Sequence, residues 1–263
     1  GYLVGGELVD ASVKDAAPAM IIAMAIFALA AVIISLTKIP EPHMEPPEEK
    51  AARKAGKVAK DPHGPLSFRH FVLGAIAIFF YVGIEVGIPN TANIYFSELE
   101  WVGPALTGTM IGAYWLCMMI GRLAGSAIGG KVSSKTMLSV TSIAAIVFLL
   151  CFIFIPESAT VTLFEKQLPV TLIFITICGL CTSVMWGAIF NLSAEGLGKY
   201  TATASGIFMT LVCGGGIIPF LQNLLADHIG SVQSYWLIIA CLGYLVFYAL
   251  VGSKNVNKDI KVD

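Results

Sequence analysis

The fold class this sequence predicts is an all-α integral membrane protein with seven transmembrane helices. Three observations predict it. Seven long apolar runs fill most of the 263 residues. Charged residues make up 13% of the chain and apolar ones 57%, with a mean hydropathy of +0.82, whereas soluble domains average ~25% charged residues. Most of the polar segments between the runs are short, which favours antiparallel neighbours in a bundle.

The runs are Ala16–Thr37, Phe71–Ser97, Trp101–Gly121, Thr136–Pro156, Leu168–Ala194, Tyr200–Ala226 and Ile229–Ser253. Each suffices to cross a hydrocarbon layer of ~30 Å, which takes ~20 apolar residues in a helix. The first is too long for the core of a signal peptide. The second is interrupted by one charge, Glu85, and carries Pro89. The third ends in Gly121 and Arg122, followed by Gly125 and Gly129. The sixth holds Gly214-Gly215-Gly216 and then Pro219. The β-branched residues lie inside spans too long to be strands, so no sheet is expected. A chain opening Gly1-Tyr2-Leu3, without Met and in a polar segment, is expected to be cut at its beginning.

Charge orients the bundle. Lys38, Lys50, Arg53, Lys54, Lys57, Lys60, Arg69, Lys131, Lys135, Lys199, Lys254, Lys258 and Lys261 fall on one side, and only Lys14 and Lys166 on the other. The positive-inside rule puts the richer side, with the C-terminus, in the cytoplasm. The expected organisation is an outer N-terminal segment and first helix over 1–37, a cytosolic linker over 38–70, a six-helix bundle over 71–253 and a cytosolic tail over 254–263. The linker is rich in proline and charge, and a short surface helix around Glu48–Lys60 fits its middle.

Several function classes are excluded. The net charge is −1 and no basic run is interleaved with aromatics, so nucleic acid is not a partner. All six cysteines lie inside apolar runs, where no loop disulfide can form. Cys178 and Cys181 form a C-x-x-C, read as two packing residues a turn apart, because no electropositive neighbour would activate a thiol. The histidines (His43, His63, His70, His228) all lie outside the runs. No H-E-x-x-H occurs and no span holds a histidine beside a nucleophile, so neither a metal, a cofactor nor an enzyme is expected. The last run has no lysine to carry retinal.

The informative residues are polar ones inside spans. A carboxylate at mid-membrane costs ~2.5–3.5 kcal/mol on insertion scales, so Glu85 is expected to border a wet cavity or a partner. Its functional reading is a hydroxyl acceptor, a proton carrier or both, and the bland alternative is a structural carboxylate bonded to a neighbouring helix. Tyr81 lies one turn earlier on the same side. Pro89 cannot donate to the helix ladder and frees a carbonyl one turn back, so a broken helix is expected, with Asn90 and Asn93 beside each other after it. An acid, amides and an aromatic face suit a polyol. The asparagines serve equally well as interhelical glue. Gly121, Gly125 and Gly129 line one face and permit close helix contact, with Arg122 expected to snorkel or pair with a helix terminus. The Gly214–Gly216 triplet reads as either a flexible gate or a tight helix crossing. The fifth span carries Trp186 and Asn191.

Phe80-Tyr81-Val82-Gly83-Ile84-Glu85-Val86-Gly87, Leu106-Thr107-Gly108-Thr109-Met110 with Gly121-Arg122, Ser205-Gly206 with the glycine triplet, and Leu36-Thr37-Lys38-Ile39-Pro40 resemble bacterial sugar permeases. The chain is similar to the C-terminal half of the fucose/galactose/glucose–proton symporter branch of the major facilitator superfamily. The resemblance implies twelve helices in two bundles, of which this chain would hold helix 6, the linker and the C-terminal six-helix bundle. The missing N-terminal bundle would be its partner. It also implies a bacterial cytoplasmic membrane, alternating access around a central site, and a monosaccharide and a proton as the transported partners. Helices 7 and 10 line the cavity in such transporters, which carries over to Tyr81, Glu85, Asn90, Asn93, Trp186 and Asn191, with Glu85 the proton-coupling candidate. The Gly129–Lys135 loop, with Lys131, resembles the family's gating loop but lacks its usual acidic residue. The alternatives are a facilitator or exporter of another polar solute, or a seven-helix membrane protein that does not transport.

Overall fold

The structure, a computed structural model, describes residues 17–37, 63–163, 166–257, 259, 260 and 262. The expected outer segment over 1–16, most of the linker and the surface helix at 48–60 lie outside the described residues.

Helix α1, Ala17–Leu36, is uncharged over its 20 residues, a rise of about 30 Å. From residue 63 onward the chain forms a bundle of α2 (Arg69–Glu98), α3 (Gly103–Ile128), α4 (Ser134–Phe154), α5 (Val170–Thr182), α6 (Met185–Ala194), α7 (Thr201–Thr210), α8 (Gly214–Ile229) and α9 (Ser231–Phe247). Because α5 with α6, and α7 with α8, run on as single spans, the bundle has six helices long and apolar enough to cross a membrane.

Local sequence sets the helix ends. At the start of α4, the Ser133 hydroxyl accepts the Thr136 N–H at 3.1 Å, an N-cap. Gly103 takes a left-handed φ of +72° just before Pro104 fills the first turn of α3. The last turn of α9 continues as a π-helical turn, Tyr248–Gly252, and Lys135 Nζ donates to the Leu250 carbonyl there at 3.1 Å.

Helix α2 is the centre of the bundle, packing against α3, α6, α8 and α9. Lipid tails are as apolar as leucine, so close packing rather than water exclusion must hold these helices together. The glycines do this where it is needed. At Gly214 an added Cβ would strike the backbone of Phe79, and at Gly215 the side chain of Val82; Gly216 faces open space. The first two thus make a tight α2–α8 crossing. The helical irregularity sits just before them, as a 3-10 turn over Leu211–Cys213.

Two local expectations are corrected. The segment from Glu157 to Leu168, read as plain loop, contains an antiparallel hairpin of β1 (Thr160–Leu163) and β2 (Lys166–Pro169), with Val161 opposite Leu168. Four alternating residues are too few to stand out beside spans of twenty or more. Helix α2 also runs unbroken through Pro89. Its satisfied carbonyl, described below, is the reason.

At the end of the bundle where α2 begins, the C-terminal tail is tied down. The Arg69 N–H donates to Asn257 Oδ1 at 3.1 Å, and the Lys199 N–H to the Val262 carbonyl at 3.1 Å. Ile260 and Val262 pack on a small cluster of Phe68, Phe71, Leu197, Tyr200 and Ala204. His70 is buried there, its Nε2 2.9 Å from the Glu195 carbonyl.

Candidate functional site

A cavity lies beside the break in the fifth apolar run. Helix α5 packs along α3 and α4 and touches α2; after Ser183–Val184 the chain restarts as α6, which stays against α2 and α4 but leaves α3. Small residues let α3 come into close contact with the interruption: a Cβ at Gly121 would strike the Ser183 side chain and one at Gly125 the Val184 side chain. The wedge left between α3 and α6 is a cavity of about 660 Å³, and Glu85, Arg122, Trp186, Asn191, Gly125 and Gly129 are among its walls. Its size lies within the ~300–1,000 Å³ of ligand pockets.

Its electrostatic centre is an ion pair. Arg122 Nη2 donates to Glu85 Oε1 at 2.7 Å, the length of a charge-assisted hydrogen bond. The Glu85 side chain is 12% exposed and that of Arg122 54%, so the carboxylate lies deep while the guanidinium reaches into open space. Sequence reading expected Arg122 to snorkel or to meet a helix terminus; it turns inward to the acid instead. Two residues 37 apart in sequence gave no signal of that contact.

The backbone of Glu85 is held as firmly as its side chain. Pro89 has no N–H to give the Glu85 carbonyl, and the Tyr114 hydroxyl donates to that oxygen at 3.0 Å. Tyr114 is fully buried and also lies 3.3 Å from Thr182 Oγ1, at the end of α5. The freed carbonyl was legible in the sequence; the donor from α3 was not.

Tyr81 is fully buried behind the pair, its ring edge-on to Trp186 at 6.1 Å between centroids. Its hydroxyl makes no hydrogen bond among the described residues. Trp186 is half-buried and also meets Phe208 edge-on at 6.0 Å. Asn191 is exposed at the cavity wall, with Nδ2 3.5 Å from Ser134 Oγ.

Not all the sequence candidates converge. At 100° per residue, Tyr81 and Glu85 fall within 40° of each other on α2, but Asn90 is about 140° from Glu85. Asn90 and Asn93 are exposed and outside the cavity wall. The amide near them that is engaged is Asn223, which accepts from Thr91 at 3.0 Å. Lys131 is exposed in the turn between α3 and α4, with its N–H bonded to the Ile128 carbonyl. Among the described residues no group of three or more histidine, cysteine or carboxylate side chains could hold a metal.

The family model of the Major Facilitator Superfamily matches residues 1–220. The chain belongs to that superfamily. Membership makes it a membrane protein and sets it among transporters rather than enzymes. It is 31% identical over 240 residues to a glucose/galactose transporter of Brucella abortus, covering 90% of this chain and 53% of that protein. It is 29% identical over 238 residues to a putative glucose/galactose transporter of Helicobacter pylori, with 88% and 53% covered. It is 26% identical over 251 residues to the L-fucose-proton symporter of Escherichia coli, with 91% and 52% covered. The chain spans about half the length of these curated relatives. In fold it is similar to the crystal structure of the superfamily transporter FucP in the outward conformation. The TM-score is 0.68 at 21% identity, covering 92% of this chain and 56% of that one. The sequence-predicted fold class, the C-terminal half of a superfamily transporter, is thus the one found.

Proposed function

We propose that the intact protein carries a monosaccharide of the glucose, galactose or fucose type across a bacterial cytoplasmic membrane, coupled to a proton, by alternating access. The observation that carries this reading is the Glu85–Arg122 pair set in the wall of a cavity shared with Trp186 and Asn191. A carboxylate, a guanidinium and an amide supply the mixed acceptors and donors that sugar hydroxyls need, and an indole ring covers the apolar C–H face. Glu85 is also the group whose protonation would dissolve the ion pair and free Arg122, linking proton uptake to the shape of the cavity. The names of the relatives support the same solute class.

In this reading Glu85, Trp186 and Asn191 touch the solute, with Tyr81 behind them, and Asn90 and Asn93, on later turns of α2 outside this wall, contribute beyond it. Arg122 governs Glu85. Gly121, Gly125 and Gly129 shape the wedge, Lys131 lies at its cytoplasmic mouth, and the Gly214–Gly216 segment is where α8 pivots on α2. Residues 38–70 tether the 71–253 bundle to a preceding one, and the C-terminus is cytoplasmic.

The test is uptake of radiolabelled glucose, galactose and fucose into proteoliposomes holding the intact protein, with and without an inward proton gradient. Accumulation of one of them that collapses with the gradient supports the proposal. Uptake of none of the three overturns the sugar reading, and gradient-independent equilibration overturns the coupling.

A further inference from the structure

We infer that the bundle carries a second binding pocket, at the end opposite the C-terminus, for a small neutral polyhydroxylated solute of monosaccharide size. The pocket, about 370 Å³, lies where the end of α2, the end of α4 and the starts of α5 and α9 meet. It shares no residue with the wedge between α3 and α6, so the inference stands apart from the reading of that cavity.

Its donors are unclaimed. Helix α9 opens at Gly230, which has φ +96° and no side chain with which to cap the first turn. The N–H groups of Ser231, Val232 and Gln233 therefore lack both an intrahelical acceptor and a capping side chain, and these three residues form one wall of the pocket. Independently, Thr171 forms another part of the wall. It is 3% exposed and its hydroxyl has no hydrogen-bond partner among the described residues. A buried hydroxyl left unpaired is destabilising, and a bound hydroxyl group would relieve it.

The acceptor is Glu157, exposed at the rim, with the Tyr95 hydroxyl donating to it. The rings of Tyr95 and Phe152 complete the wall, edge-on to each other at 6.4 Å. This set selects against simple ions. An anion drawn to the α9 N-terminus meets the Glu157 carboxylate, and a cation drawn to Glu157 meets the positive end of the helix dipole. Tyr95 donates to one carboxylate oxygen, and the remaining acceptor sites are open to a hydroxyl donor. Hydroxyl groups both give to Glu157 and accept from the N–H row and Thr171 without bringing a charge to either. A sugar ring adds a C–H face for the aromatic rings, and the volume falls at the small end of the ~300–1,000 Å³ range of ligand pockets.

The test uses the intact protein in detergent with Ser231→Cys, whose maleimide labelling is followed at that residue by mass spectrometry. D-glucose, D-galactose, L-fucose, glycine and phosphate serve as competitors. At least one sugar is expected to slow labelling about ten-fold, the factor that about 1.4 kcal/mol confers. The slowing is expected to persist when Trp186→Ala and Asn191→Ala are combined, which strips the inner cavity of its aromatic and amide walls, and to disappear with Thr171→Val and with Glu157→Gln. Failure of every sugar to protect overturns the inference. So does protection by glycine or phosphate alone, protection that survives either pocket substitution, or protection that vanishes when Trp186→Ala and Asn191→Ala are combined, which would mean that sugar acts from the inner cavity.

Discussion

The Tyr114 hydroxyl, reaching across from α3, donates at 3.0 Å to the carbonyl oxygen of Glu85, the oxygen that Pro89 leaves without a helical partner. The bond keeps α2 continuous at the point where it presents its carboxylate. Tyr114→Phe should therefore cost about 1–3 kcal/mol, the penalty of a buried unpaired acceptor, read as a lower unfolding temperature in detergent. Pro89→Ala restores an N–H to the same oxygen. In that background Tyr114→Phe should cost less than half as much. Equal costs in both backgrounds would mean that Tyr114 stabilises the bundle by packing alone.

The glycine triplet allows a sharp comparison within three residues. A methyl at Gly214 would lie against the Phe79 backbone, which no rotamer change can move, whereas Gly216 has open space around its Cβ position. Gly214→Ala should destabilise by about 1–3 kcal/mol, as overpacking does. Gly216→Ala should be neutral or gain up to about 1 kcal/mol in helix propensity. Thermal unfolding of the two variants side by side checks this, and equal losses would show that the triplet needs flexibility rather than closeness.

Membrane class, span positions and the importance of Glu85 were legible because lipid makes rules that a single chain obeys locally: run length, and the cost of a lone charge. What was not legible depends on pairs of helices. Arg122 belongs with Glu85, and Tyr114 with the carbonyl that Pro89 frees, yet each pair joins residues of separate helices, and hydrophobicity carries no record of which faces meet. The break at Ser183–Val184 was hidden for a related reason. Both residues are compatible with a helix, and their close contact with Gly121 and Gly125 of α3 shows only once the helices are paired. The placing of Asn90 and Asn93 with Glu85 came from spacing along the chain. Helical phase separates Asn90 from Glu85, and a rise of about 12 Å separates Asn93.

The aromatic and amide walls of the wedge give a prediction about affinity. If the solute lies against Trp186 and Asn191, Trp186→Ala and Asn191→Ala should each weaken solute binding about ten-fold, equivalent to about 1.4 kcal/mol. Trp186→Phe should recover most of the loss, because a ring face remains. Equilibrium binding of the transported sugar to the purified intact protein measures this. A Trp186→Ala variant with unchanged affinity would place the solute elsewhere.

The ion pair predicts a division between driven and passive transport. Glu85→Gln keeps the shape and hydrogen-bonding capacity of the side chain but can neither ionise nor hold Arg122 by charge, so it imitates the protonated acid. Gradient-driven accumulation should be lost, while exchange of labelled for unlabelled sugar across the membrane continues. Arg122→Gln leaves a carboxylate that is 12% exposed without its cation, a costly state in a poorly hydrated site. It should therefore lower the unfolding temperature more than the double substitution Glu85→Gln with Arg122→Gln, which removes both charges. Proteoliposome assays of accumulation and exchange, with thermal unfolding of the three variants, read out the whole scheme. Accumulation that survives Glu85→Gln would move proton coupling away from this pair, and additive losses in the double variant would mean that the two charges do not act on each other.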